Sequence, residues 1–343
     1  MPADATAAPT PDEHARLLDM VIGGATAQAV YVAAKLGIAD VLAEGPATAE
    51  DIAKRVGSHP EATYRLLRAL TTRSIFAEEP GRRFRLTPMA QALRSDVPDS
   101  VRPIVLVAGH PVTWQHWGEL TYSVATGNSA FEKLHGMPVF DYLAKDPDYA
   151  ALFNESMTFS SAIEIPAILD AYDFSRFGTI VEVGGGQGRL LAAILQNTPN
   201  ARGVLFDLDS VVAGAPSVLT EAGVGDRSTV RGGSFFDSVP SGGDAYILKH
   251  IIHDWPEDKA LDILGNVRAA TGPDATLLVM DMVLPEDGSP HFGKLVDLDV
   301  LVAFGGRHRT EAEYADLLAR AGFRLTGVTP TAGSPSIIEA VPV

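Results

Sequence analysis

The chain has no cysteine at all. No disulfide frame, zinc ribbon, iron–sulfur centre or thiolate nucleophile is therefore open to it, and any metal would have to be held by His and carboxylate side chains alone. Basic residues are also scarce: 27 Lys and Arg stand against 43 Asp and Glu, a formal net charge of −16 over 343 residues. That excess repels phosphate backbones and anionic lipid surfaces, which argues against nucleic acid or a membrane as the main partner. Long apolar runs are missing too. No window approaches the roughly 18 uncharged apolar residues of a membrane span, and the opening stretch lacks a basic segment followed by an apolar core. A globular enzyme in a reducing, cytoplasmic setting fits these absences.

At about 150 residues per domain the length allows roughly two domains, each with a core of its own. Residues 1–11 read as a disordered leader. Over residues 12–95 short helices are punctuated by caps: Thr48 and Asp51, and again Ser58 and Glu61, place a hydroxyl three residues before a carboxylate, which starts a helix. Leu66, Leu67 and Leu70 then share a helical face, and Ile75-Phe76 and Phe84-Arg-Leu86 flank the turn signal Pro80-Gly81, which predicts a hairpin. Helix, turn, helix and hairpin read as a winged helix, a domain expected to be all-α in class. Residues 96–170 are helical with large side chains inserted: Trp114, Trp117, Phe131, Met137, Phe153, Met157 and Phe159. At helical spacing these form either an aromatic substrate cavity or plain core.

From residue 171 to 343 the texture changes. Short β-branched runs at 179–183, 203–208, 228–231, 244–249, 275–281, 324–329 and 336–341 alternate with helical stretches at 190–197, 210–222, 257–270 and 311–321. Near-continuous apolar strands separated by helices predict a parallel sheet covered on both faces, an α/β, Rossmann-like, doubly wound domain of seven strands.

The strongest local signal is Val181-Glu-Val-Gly-Gly-Gly-Gln-Gly-Arg-Leu190, a strand running into glycines and then a helix. Glycine lets backbone approach a ligand closely where the next helix presents its N-terminal amides. Gly184, Gly186 and Gly188 follow Gly-x-Gly-x-Gly, not the Gly-x-Gly-x-x-Gly of a dinucleotide site. Asp207, at the end of the second strand, is placed to accept hydrogen bonds from two ribose hydroxyls. With Glu182 at the end of the first strand, this is the arrangement that S-adenosylmethionine enzymes use, and a cofactor without phosphates needs no basic partner there.

A second signal lies in Asp244-Ala-Tyr-Ile-Leu-Lys-His-Ile-Ile-His-Asp-Trp-Pro-Glu-Asp-Lys259. Asp254-Trp-Pro-Glu257 reads as a capping box, which puts His253 on the loop leaving the carboxyl edge of the sheet, where ligands bind. A phenol of pKa near 10 needs a base, and imidazole, near 6.5, is suited to the task. Asp281, ending the next strand, would orient that ring and stabilise its cation. The change from strand to helix disfavours a metal shared by His250, His253 and Asp254, and no metal is expected.

Together Val181-Glu-Val-Gly-Gly-Gly-Gln-Gly188, Phe206-Asp-Leu208, Gly232-Gly-Ser-Phe-Phe236, Leu248-Lys-His-Ile-Ile-His-Asp-Trp255, Leu284-Pro285 and Gly305-Gly-Arg-His-Arg-Thr310 carry a family resemblance. The chain, from about residue 15 to 342, resembles the S-adenosylmethionine-dependent O-methyltransferases of the plant caffeate and animal acetylserotonin type, in particular their bacterial natural-product branch. The resemblance implies homodimerisation through the winged-helix region, and His253 as base beside Asp254. It implies Gly184, Gly186, Asp207, Phe235 and Lys249 at the cofactor, and Leu208 and Ser234, in the same motifs, are expected to bind it as well. It places Phe153 and Met157 on the helix lining the pocket for a small aromatic substrate, which Trp114 and His308 are also expected to touch. Three positions depart from the pattern: Ser234 stands where many relatives have Asp, Asp281 where the plant enzymes have Glu, and His308 where Glu is frequent.

Two other readings remain open at this level. A homologue of the same fold can use the cofactor for hydroxylation or decarboxylation without methyl transfer. A winged-helix regulator would use Arg65, Arg68 and Arg73 on phosphates, but residues 1–100 hold 11 basic and 13 acidic side chains.

Overall fold

The computed structural model describes residues 8–343, so most of the expected leader lies outside the described residues, and Pro11 already opens a helix. Two compact units make up the chain: residues up to Trp114 with Asp146–Phe159, and Gln115–Lys145 with Ser160–Val343.

In the first unit, the expected run of short helices begins with a long one, Pro11–Lys35. Thr10 accepts the Glu13 amide while Glu13 reaches back to the cap, satisfying two amides that a helix start leaves unpaired. Uncharged from Met20 to Ala34, this helix is long and apolar enough to cross a membrane by length and composition, which the sequence reading did not anticipate. Leu17, Leu18, Met20, Val21 and Ile22 are exposed on it. Thr48 caps helix Ala49–Val56 through the Asp51 amide as expected. The cap of Pro60–Thr71, however, is His59 and not Ser58, whose hydroxyl bonds Thr63 instead. The hairpin is present: Phe76–Glu79 pairs antiparallel with Arg83–Leu86, and Ala47–Thr48 adds a third short strand, so this domain is not wholly helical. Leu67, Leu70, Phe76 and Phe84 are buried together beneath it. Of the three arginines weighed as phosphate contacts, Arg73 is paired with Asp19.

The second unit is built on a sheet of seven strands, at the positions the β-branched runs predicted. Their order is Phe323–Pro330, Ser336–Pro342, Thr276–Asp281, Ala245–Lys249, Thr179–Val183, Arg202–Asp207, Ser228–Gly232. The expected all-parallel pattern fails at one strand. Ser336–Pro342 runs antiparallel to both neighbours, because the few residues after Pro330 can close a hairpin but are too few for a crossover. Period-two alternation sorts the side chains: Ile180, Leu205, Ile247 and Met280 join one buried cluster, Val181, Phe206, Leu248 and Val279 the other. Helix Arg189–Asn197 covers the first face, and helices Glu257–Ala270 and Glu311–Arg320 the second. The stretch 210–222, expected as one helix, breaks at Gly214 into Asp209–Val212 and Ala215–Glu221.

Thr179–Val183 is paired on one side with the strand that follows it in sequence and on the other with Ala245–Lys249. The connections leave its carboxyl end in opposite directions, opening the crevice in which doubly wound sheets bind ligands.

Candidate active site

Four segments meet at that carboxyl edge. The first is the glycine loop. Gly184, Gly186 and Gly188 have φ of +70°, +60° and +75°, a conformation that side chains disfavour. A Cβ at Gly184 would overlap Ile251, whereas one at Gly186 would meet open space. The loop thus needs glycine at Gly184 for close packing and presents bare backbone at Gly186. Glu182 is buried beneath it and accepts the Leu191 amide at 3.2 Å, capping helix Arg189–Asn197 from below. Burial pushes this carboxyl up to about 8.

Asp207 is the second element. Its Oδ2 accepts from the Gly186 amide at 2.9 Å and its Oδ1 from the Leu208 amide at 2.7 Å, which leaves further lone pairs for a ligand. Leu208 is exposed beside it. The Phe235 ring lies against Gly184, and Asn266 fixes the Phe235–Phe236 turn by donating to both carbonyls at 2.9 Å. Ser234 accepts the Phe236 amide at 3.2 Å and so shapes the same turn.

The third segment leaves strand Ala245–Lys249. His250 has φ +56°, a left-handed residue that folds the chain back over the sheet edge. Lys249 is not free to meet a ligand as a bare cation: its Nζ donates to Glu164 at 3.1 Å and Ser161 at 3.2 Å. Glu164 also holds His250 Nε2 at 2.9 Å. Burial raises the Glu164 carboxyl, but the His250 and Lys249 bonds outweigh it and hold it below its usual range.

In the short turn Ile252–Asp254, the buried His253 Nδ1 lies 2.6 Å from Asp281 Oδ1, and its Nε2 lies 3.2 Å from Asp254 Oδ1. Burial alone would push this imidazole down; the two carboxylates prevail and hold it at about 10. Tyr314 donates to the other oxygen of Asp281 at 2.9 Å. Asp254 therefore serves the imidazole, and the expected capping box is absent: helix Glu257–Ala270 starts after Pro256 with no side-chain cap. The rings of His250 and His253 do approach, with centroids 5.4 Å apart, and His250, His253 and Asp281 bring ligand atoms within 4.8 Å of one another, closer than the strand-to-helix argument allowed.

The fourth segment is Gly305–Thr310. A Cβ at Gly306 would overlap the His253 carbonyl, and Arg309 pairs with Val283 just beyond Asp281. His308 is thereby set beside His253, ring centroids 4.5 Å apart. A cleft of about 430 Å³ lined by Phe140, Phe236, Trp255 and Phe304 reaches Asp254. Among the remaining expected contacts, Trp114, Phe153 and Met157 belong to the first unit, where Trp114 and Met157 are exposed and Phe153 is half-buried. Phe131 is fully buried core, and Trp117 donates to Asp299 at 2.8 Å. Glu164, Asn266 and Tyr314 carry no sequence signal of their own; Tyr314 lies on the same helical face as Leu317 and Leu318 and reads as core.

The comparisons with known proteins decide what this edge belongs to. Residues 117–324 match the O-methyltransferase domain family, and residues 18–96 the O-methyltransferase dimerisation domain. The chain belongs to the O-methyltransferase family. A phenazine O-methyltransferase of Lysobacter antibioticus is 44% identical over 95% of this chain and 96% of its own. A phenazine-1-carboxylate N-methyltransferase of Pseudomonas aeruginosa is 36% identical over 90% and 91%. The solved O-methyltransferase of neocarzinostatin biosynthesis, bound to S-adenosylmethionine and 2-hydroxy-5-methyl naphthoic acid, superposes with a TM-score of 0.84 at 32% identity, covering 93% of this chain and 96% of that one.

The protein is thus an S-adenosylmethionine-dependent methyltransferase of the bacterial natural-product type. The regulator reading and the non-methylating reading give way to it. The residues fit the cofactor: half-buried glycine backbone with open space over Gly186, an Asp207 carboxylate with unused lone pairs and an aromatic ring at Phe235 suit a nucleoside without phosphates.

Proposed function

We propose that the enzyme methylates a phenolic oxygen of a small aromatic compound, with His253 handling the hydroxyl proton. S-adenosylmethionine supplies an electrophilic methyl group, so the chain's own task is to align the oxygen, exclude water and manage one proton. The observation that carries the reading is the clamp on His253: Asp281 on Nδ1 and Asp254 on Nε2. With both carboxylates in place the ring is raised to about 10 and holds a proton on each nitrogen, so it accepts the proton of a phenol of pKa near 10 once Asp254 has left Nε2 and taken that proton with it. When the hydroxyl takes the place of Asp254 at Nε2, Asp281 keeps the ring oriented and balances its charge. Oxygen is favoured over nitrogen as acceptor because an aromatic ring nitrogen offers its lone pair without deprotonation and needs no such clamp.

Gly184, Gly186, Asp207, Leu208 and Phe235 are proposed to hold the cofactor, with Glu182, Ser234 and Lys249 bracing the loops around it. The working protein is proposed to be a cytoplasmic homodimer in which the exposed apolar side chains of helix Pro11–Lys35 are covered by the partner subunit. The test is His253→Ala assayed with labelled S-adenosylmethionine and a panel of phenols. Turnover is expected to fall on the order of 10²–10⁴-fold, with cofactor affinity retained by calorimetry. Turnover like that of the unaltered enzyme would remove His253 from the mechanism.

A further inference from the structure

His308 is 4% exposed, and neither of its ring nitrogens has a hydrogen-bond partner among the described residues. A neutral imidazole offers one donor and one acceptor, and leaving both empty in a buried place is costly. The ring cannot readily turn away to find partners of its own. Asp297 Oδ1 takes the His308 amide at 2.6 Å, the Gly305-Gly306 backbone is pressed against the His253 turn, and Arg309 is paired to Val283. The backbone is thus pinned on both sides of a side chain with nothing to bond, beside the ring proposed to handle the acceptor hydroxyl.

Burial and the neighbouring His253 push His308 down to about 4, so it is neutral where its neighbour is cationic. A neutral ring in contact with His253 does little for the hydroxyl proton but can donate to, or accept from, a second ligand atom. Two imidazoles 4.5 Å apart can serve two atoms only if those atoms are close neighbours on the ligand.

We propose that His308 reads a second hydrogen-bonding group on the aromatic acceptor, carried by the ring carbon next to the hydroxyl to be methylated. The substrate class is therefore a vicinally substituted phenol, such as a catechol or an ortho-aminophenol. This rests on the function proposed above.

The test is calorimetric binding to the full-length protein saturated with S-adenosylhomocysteine, using 2,3-dihydroxynaphthalene against 2-naphthol. The unaltered protein is expected to prefer the diol by about tenfold, the worth of one to two net hydrogen bonds. His308→Phe should bring the ratio to about one, while His308→Gln, which keeps a donor and an acceptor, should retain part of the preference. His308→Ala is read in the same way should the Phe variant fail to fold. Equal affinity for the two naphthols in the unaltered protein overturns the proposal, as does a variant that weakens both equally or keeps the preference. A parallel assay with labelled S-adenosylmethionine separates the two readings: preferential binding of the diol with no methyl transfer to either compound sinks the proposed function and leaves His308 as the reader.

Discussion

The turn at 250–254 and the strip at 305–310 each bring a buried imidazole to the same carboxyl edge, ring against ring, and residue type does not tell the two apart. Their hydrogen bonds do. His253 has a carboxylate on each nitrogen and is held at about 10, whereas His308 has none and is pushed to about 4. Desolvation acts on both in the same direction, so the difference is made by Asp281 and Asp254 at His253 and by the charge of His253 itself beside His308. His253 also enforces the neutral state of His308, because a cation on the one disfavours a second one 4.5 Å away.

The heaviest blow to that contrast is Asp281→Asn. Asp281 is fully buried, and His253 and Tyr314 both bond to it. Breaking such a pair strands a buried cation and is expected to cost about 3–5 kcal/mol of stability. Turnover should fall on the order of 10²-fold, through lost orientation and charge balance. Denaturant unfolding and labelled methyl transfer check both. If Asp254 alone sustains His253, neither quantity will move far, and the asymmetry between the two carboxylates is wrong.

A gentler probe is the pH dependence of stability, where the two histidines should pull in opposite directions. His253 has a folded pKa of about 10, above its ordinary 6.5, so its contribution is full below about 6.5 and is lost as pH rises towards 10. Glu182, raised to about 8, works in the same sense between 4.5 and 8. His308 and His116, the latter buried against the Phe131 ring, are depressed to about 4, so both contribute above 6.5 and lose that contribution as pH falls towards 4. Urea midpoints across the pH range should therefore form a dome, with His253→Gln flattening the alkaline side and His308→Phe easing part of the acid side. Identical slopes in the two variants would erase the distinction.

What is legible in the sequence follows from the range of the interaction involved. The seven strands and the glycine loop were readable because β-branched runs and Gly-x-Gly-x-Gly are local patterns. The placement of His253, Asp281 and Asp207 is legible because strand ends of a doubly wound sheet converge on one edge. The antiparallel run of Ser336–Pro342 does not show in its apolar pattern, and only the short connection after Pro330 signals it. Spacing alone reads Asp254 as a helix cap, because it cannot weigh a cap against a neighbouring imidazole. Glu164, Asn266 and Tyr314 act across long sequence separations, 86 residues between Glu164 and His250 and 33 between Tyr314 and Asp281, and no local pattern marks them. His308 was visible as a departure from the family pattern, but its empty nitrogens appear only once the fold surrounds it.

The smallest expected effect tests whether partners, and not mere rigidity of the strip, set the role of His308. Thr310 closes the strip and caps helix Glu311–Arg320: its hydroxyl accepts the Glu313 amide at 3.3 Å, and Glu313 accepts the Thr310 amide at 2.8 Å. Thr310→Ala removes one half of this reciprocal cap and should cost about 1 kcal/mol, read by denaturant unfolding. It touches no nitrogen of His253 or His308, and the pairing of Arg309 with Val283 and the Asp297 bond to the His308 amide remain. Stability should therefore fall while the preference for the vicinal diol stays where it was. A preference that declines together with the unfolding midpoint would mean that His308 selects its ligand through the stiffness of the helix start behind it, and the contrast between a clamped and an unpartnered imidazole would not be what distinguishes the two rings.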